Sequence, residues 1–184
     1  MNSITINDVI KFLKEQSDII QIGFPFDGSL NGNPNETLTK ILFINYREST
    51  QIKNIDIPIL LKHIENVMTT DDYDIIYRGV LNDEYYDIVN RIAFGHGIHG
   101  AYKGKATKEY NLTSFASKFC GSHNLTAPFW DNIVSKWIME NGYQHNYREY
   151  PQYVEAIIKI QSDYNLHNFT LREIEYAIWA KNKE

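Results

Sequence analysis

Two residues in the second half of the chain carry the chemistry that is most readily argued. Lys118 stands in a run of small and apolar residues, Ser114-Phe115-Ala116-Ser117-Lys118-Phe119-Cys120. Partial burial disfavours the charged form of an amine, so a lysine in such a run can serve as a nucleophile near neutral pH. Asp131 follows Pro128-Phe129-Trp130 and precedes an apolar helical pattern, where the backbone N–H groups of a first helical turn hold a carboxylate. A lysine and a carboxylate fixed on consecutive helices could face one pocket. The plain alternative is a solvated lysine and an ordinary N-cap. Cys120 and His123 form a second nucleophile and base combination, but three residues is ordinary neighbour spacing on a helix, and a lone cysteine reads as a small buried hydrophobe. Gly95-His96-Gly97-Ile98-His99-Gly100 satisfies a G-x-G-x-x-G pattern, yet it follows a helical stretch rather than a buried strand, so it is not read as a dinucleotide loop. His96 and His99 have no third ligand at a recognisable spacing, and no metal and no cofactor are expected. The same glycine-rich loop, with Lys103 and Lys105 after it, permits close approach to a phosphate backbone.

The elements that must position these residues follow from periodicity and caps. Asn7-Asp8 with Val9, Ile10, Phe12 and Leu13 predicts a short helix, and residues 19–26 look extended. After a loop from Gly28, Asn35 is expected to cap a helix with Leu38, Ile41, Leu42 and Asn45 on one face, and Pro58 sits at a first-turn position ahead of Leu61, Ile64 and Met68. Asn82 opens another helix through Tyr85, Val89, Ile92 and Ala93. Residues 95–105 read as a flexible connection, Thr113 or Ser114 opens a helix to about Ser122, and Asp131 caps one through Val134, Trp137 and Ile138. Tyr150-Pro151 starts a longer helix, and Thr170 with Glu173 forms a capping box for the last one. Seven or eight helices, little strand pattern and no internal repeat predict an all-α chain. It is read as a single domain over 1–184, with an N-terminal helical half (1–105) and a C-terminal half (106–184).

The totals fit that reading. At 184 residues with 43% hydrophobic and 14% aromatic content, the chain can bury a core and is far from disordered composition. There is no basic and apolar leader and no stretch resembling a membrane span, so a cytoplasmic location and no membrane partner are expected. One cysteine excludes an internal disulfide and a multi-cysteine zinc site. The net charge of −5 argues against a surface built mainly to grip phosphates, although Lys103, Lys105, Lys108, Lys118 and Lys136 leave room for a local basic face.

The run Ser117-Lys118-Phe119-Cys120, then His123-Asn124, then Pro128-Phe129-Trp130-Asp131 and Val134, resembles helix-hairpin-helix DNA glycosylases of the 8-oxoguanine type. In that family a hairpin-helix lysine precedes a turn that supplies an aspartate. Tyr153, Ile157, Tyr164 and Arg172 to Trp179 are similar to the C-terminal part of small bacterial proteins, some associated with phage defence. The resemblance covers roughly residues 111–179. It implies a DNA substrate with a damaged or modified base, flipped from the stack because the glycosidic bond is inaccessible in a duplex. Lys118 would attack the sugar C1′ and form a Schiff base, with Asp131 assisting the amine and stabilising positive charge on the sugar. The same likeness implies substrate contacts from His123, Phe129 and Trp130 and a nucleic-acid contact at Ser114, while Lys103 and Lys105 are expected to meet the phosphate backbone from the basic loop that precedes it.

The family's glycines before the lysine are replaced here by Ser114 and Ala116 around Phe115, which bears on DNA affinity more than on fold. A rival reading follows: a noncatalytic binding module on the same helices, which should expose a patch from the Tyr-rich stretch Tyr143 to Tyr153 and turn Lys118 to solvent. A toxin or abortive-infection component is the third.

Overall fold

In the computed structural model, residues 4–16, 33–48, 57–94, 112–123, 126–143 and 149–183 are described. Among them every regular element is helical: α1 (Ile6–Gln16), α2 (Pro34–Glu48), α3 (Ile57–Val67), α4 (Thr70–Arg78), α5 (Asp83–Phe94), α6 (Thr113–Gly121), α7 (Asn132–Glu140), α8 (Tyr150–Asp163) and α9 (Leu171–Lys181). The all-α expectation holds for these residues. The extended stretch at 19–26 and the glycine-rich connection with His96, His99, Lys103 and Lys105 lie outside them.

The helices gather into two compact units. One, residues 25–124, contains α2 to α6; the other joins residues 1–24 to 125–184 and contains α1, α7, α8 and α9.

In the 25–124 unit α5 and α6 pack most closely, α6 also meets α2, and α3 meets α2 and α5. Tyr85, Ile88, Val89, Ile92 and Ala93 are buried on α5, the spacing that puts side chains on one helical face. Asn82 caps this helix through its Oδ1, which accepts the Tyr85 N–H at 3.0 Å.

Two local expectations shift here. The cap of α2 is Asn33, whose Oδ1 accepts the Asn35 N–H at 2.9 Å, with Pro34 at the first helical position where its missing N–H is harmless. The inward face of α2 is Thr37, Lys40, Ile41 and Ile44, all buried, while Leu42 is 48% exposed. An apolar-stripe reading misses this because a lysine occupies the core-facing position. The helix α4 was not foreseen: it is short, but Thr69 and Asp72 form a capping box and Gly79 ends it at φ 61, a left-handed conformation that glycine adopts without strain.

An ion cluster locks α4 to α5. Arg91 Nη2 donates to Asp72 Oδ1 at 2.6 Å and Nη1 to Asp72 Oδ2 at 3.1 Å, Nη1 also reaches the Val67 carbonyl, and Nε donates to Asp87 at 2.8 Å. Burial alone pushes the Asp72 carboxyl up; the bonds from Arg91 and Thr69 outweigh it and hold the group below its ordinary value.

In the other unit α9 is the hub, packed on α1, α7 and α8. Val9 and Leu13 of α1, Val134, Trp137 and Ile138 of α7, Val154, Ile157 and Ile160 of α8, and Ile174 and Ile178 of α9 are buried. The Trp137 Nε1–H donates to the Ile4 carbonyl at 3.0 Å, which ties the residue ahead of α1 to α7. The Thr170 and Glu173 capping box is present as the sequence predicts.

Candidate functional site

The helix α6 is unusual in having almost no outer face. Thr113, Phe115, Ala116, Ser117, Lys118, Phe119, Cys120 and Gly121 are all buried, and Ser114 is partly so. Its sequence allows this because small residues alternate with Phe115 and Phe119, whose rings meet at 5.8 Å. Lys118 is 7% exposed, the partial burial its neighbours predict. No side chain caps the start of α6; the Leu112 N–H donates instead to the Ala93 carbonyl at 3.1 Å, joining α6 to the end of α5.

A second lysine lies beside this helix. Lys40 of α2 is fully buried, with its Nζ 4.2 Å from the centroid of Phe119. Burial drives its amine well below the ordinary lysine range, an effect opposed by Cys120. Cys120 is also fully buried, and loss of solvation pushes its thiol up to about 12. The thiol therefore stays protonated at neutral pH and is no nucleophile, in agreement with its reading as a small hydrophobe. The sequence reading overlooked Lys40, although its spacing from Thr37, Ile41 and Ile44 is that of one helical face.

His123 stands just past α6 and stacks on Tyr77 of α4, ring centroids 4.8 Å apart and 24° from parallel. Tyr77 is 51% exposed, so the stack lies at the surface of its unit.

Asp131 sits where the sequence places it, as N-cap of α7. Its backbone is extended (φ −132, ψ 140), and its Oδ1 accepts the Ile133 N–H at 2.8 Å. Ahead of it, Phe129 is 5% exposed and carries the Arg172 guanidinium over its ring at 3.8 Å. This ring is enclosed by its own unit, whereas Trp130 is only partly buried and lies 6.5 Å from the Tyr153 ring. Arg172 pairs with Glu175, both buried.

Lys118 belongs to the 25–124 unit and Asp131 to the other; Lys118 shares its unit with His123 and Ser114, and Asp131 shares its own with Phe129 and Trp130. Of the Tyr-rich stretch expected to form the surface of a binding module, Tyr150 and Tyr153 are fully buried, because they fall one turn apart on the inward face of α8, and residues 144–148 lie outside the described residues. Among the described residues no group of three or more His, Cys, Asp or Glu side chains could hold a metal ion, and no helix is long and apolar enough to cross a membrane.

Such a fold, helical throughout its described residues with a buried lysine helix followed by an aspartate-capped one, can be set beside known families. Residues 6–127 match the family HI_0787_N, an N-terminal domain. That span is well over half of the 184 residues, and the chain belongs to this family. It runs from α1 through α6 and includes Lys118 and His123. No curated protein and no solved structure matches the chain.

Proposed function

We propose that this protein is a glycosylase-like enzyme acting on a damaged or modified base in DNA, with Lys118 as the amine and Asp131 as the carboxylate. The observation that carries the reading is the order of parts: a buried helix bearing Lys118, a short connection, and a carboxylate fixed as the cap of the next helix. A solvent-turned Lys118 is what the noncatalytic alternative required, and at 7% exposure the lysine is better suited to chemistry than to solvation.

In this reading the uncharged amine of Lys118 donates its lone pair to C1′ while the C1′–N bond to the base breaks and the base leaves with that electron pair. Asp131 accepts a proton from the amine and offsets the positive charge that develops on the sugar. The C1′–O4′ bond then breaks as the nitrogen lone pair forms the C1′=N bond, and O4′ takes the bonding pair and the remaining N–H proton, which gives the imine. Trp130, with surface left to offer, is the stacking candidate for the extruded base. The bacterial phage-defence setting follows from the same resemblance.

Borohydride trapping of the wild-type protein and of Lys118→Ala on duplex and single-stranded DNA carrying a panel of modified bases tests the proposal. A covalent adduct is expected with wild type and not with the variant. Folded wild-type protein that gives neither adduct nor base release refutes it, and leaves the noncatalytic module.

A further inference from the structure

We infer that Tyr150, Tyr153 and Arg172 are positioning residues, which hold the segment Pro128–Asp131 so that the Asp131 carboxylate is fixed at the start of α7. The catalytic consequence rests on the reading of Asp131 proposed above; the positioning itself does not.

Two consecutive carbonyls of this segment each accept a phenol hydroxyl from the same helix. The Tyr150 hydroxyl donates to the Pro128 carbonyl at 2.7 Å, and the Tyr153 hydroxyl donates to the Phe129 carbonyl at 2.9 Å. Both tyrosines are fully buried, and their rings lie stacked, 6.4 Å apart and 28° from parallel. A buried hydroxyl must find an acceptor, and the free carbonyls of an irregular segment are available where those of a helix are not. Burial raises the Tyr153 phenol well above its ordinary range, so it remains a donor at any physiological pH.

From α9 comes a third constraint. The Arg172 guanidinium covers the Phe129 ring while Glu175, three residues on, neutralises it. Arginine is seldom buried without such pairing, and here the buried pair lies against a ring that a simple helix cap does not require.

Asp131 comes two residues after the anchored Phe129. Its Oδ1 accepts from Ile133 and its carbonyl accepts the Ser135 N–H at 2.8 Å. An ordinary N-cap needs only those bonds. Two buried hydroxyls and a buried cation on the preceding residues are the kind of support that holds a reacting group within about half an ångström of its working position.

Tyr150→Phe and Tyr153→Phe keep the rings and remove the hydroxyls. In the double variant, amide exchange at Ile133, which reports the Asp131 cap, should speed by about tenfold or more while that of Ile138, deeper in α7, stays unchanged. Unchanged exchange at Ile133 overturns the inference, whatever the activity. Single-turnover borohydride trapping at saturating DNA supplies the second readout: Tyr153→Phe should slow it by about tenfold without changing DNA affinity, since small misplacements of a catalytic group have effects of this order. The hydroxyl's loss should slow it no further in an Asp131→Asn background. Equal slowing in both backgrounds overturns action through Asp131 and leaves a merely structural hydroxyl. Absence of any wild-type adduct sinks the catalytic reading alone, and Ile133 exchange then decides the positioning. Should the phenylalanine variants fail to fold, Arg172→Lys, which keeps the charge for Glu175 and loses the planar cover of Phe129, should give the same Ile133 acceleration; its absence is equally fatal.

Discussion

Replacing Asp72 with alanine removes one carboxylate that does two tasks. It accepts the Thr69 N–H at 2.6 Å and the Thr69 hydroxyl at 2.9 Å, closing the capping box of α4, and it holds Arg91 through two bonds. Losing a cap costs about 1 kcal/mol. Removing one partner of a buried ion pair costs roughly 3–5 kcal/mol, but the Arg91 side chain is 32% exposed and water will recover part of that, so about 2 kcal/mol is assigned to the pair. The sum, about 3 kcal/mol, corresponds to a midpoint shift of roughly 1.5 M in urea for a slope near 2 kcal/mol/M. Arg91→Ala and the double variant complete a cycle whose coupling should be about 1–2 kcal/mol. Because the folded carboxyl lies below its ordinary value, this stability is fully present above the unfolded pKa near 4 and is lost as pH falls through the lower, folded pKa, so the penalty of Asp72→Ala should fade in that acid window. Far-UV circular dichroism follows all the helices, whereas Trp130, Trp137 and Trp179, the chain's three tryptophans, all belong to the unit that lacks Asp72. The dichroism transition must therefore move; whether tryptophan fluorescence moves with it tells whether the two units unfold together. A dichroism midpoint shifted by less than 0.5 M urea, roughly 1 kcal/mol at that slope, refutes the account of the Asp72 cluster.

Two further outcomes concern the buried groups beside α6. Lys40→Met should stabilise the protein by about 1–3 kcal/mol, since a well-packed apolar chain of similar length avoids desolvating an amine. The folded Lys40 amine lies well below its ordinary value, so between that lowered value and the unfolded pKa near 10.4 the unfolded chain binds the extra proton, wild-type stability rises with pH, and the variant should lose this slope in urea titrations carried up toward about pH 10; a destabilised variant contradicts the assignment. Cys120, with its thiol pushed up to about 12, should resist a disulfide reagent at pH 8 in the native state and react at once in denaturant; rapid native labelling would show that α6 opens readily.

The helices that carry strong local signals were legible from the sequence. Asn82, Asp131 and the Thr170 and Glu173 pair cap their helices as their residue types predict, because capping is decided by neighbours within three residues. The inward face of α2 was not legible: apolar periodicity selects Leu38 and Leu42, while the packed face includes Lys40, a choice made by α6 from far along the chain. Tertiary packing overrode pattern at Tyr150 and Tyr153 as well, where tyrosines that look like surface-binding material are core donors to Pro128 and Phe129. For the candidate site, the caps and the partial burial of Lys118 could be read from local composition. The support from Tyr150, Tyr153 and Arg172 could not, since it joins residues more than twenty positions apart.

The placement of α1 bears on how the chain can fold. This helix packs on α9, from which it is separated by nearly the whole sequence, so its buried Val9 and Leu13 stay without that partner until the final helix has been synthesised. Contacts so distant in sequence form late, after loop closure has been overcome. The contiguous 25–124 stretch faces no such delay and can gather its helices while the rest is still being made. A fragment ending at residue 127, where the family match stops, would strand the apolar side of α1 in water; a fragment that keeps α1 covered has to run on through α9.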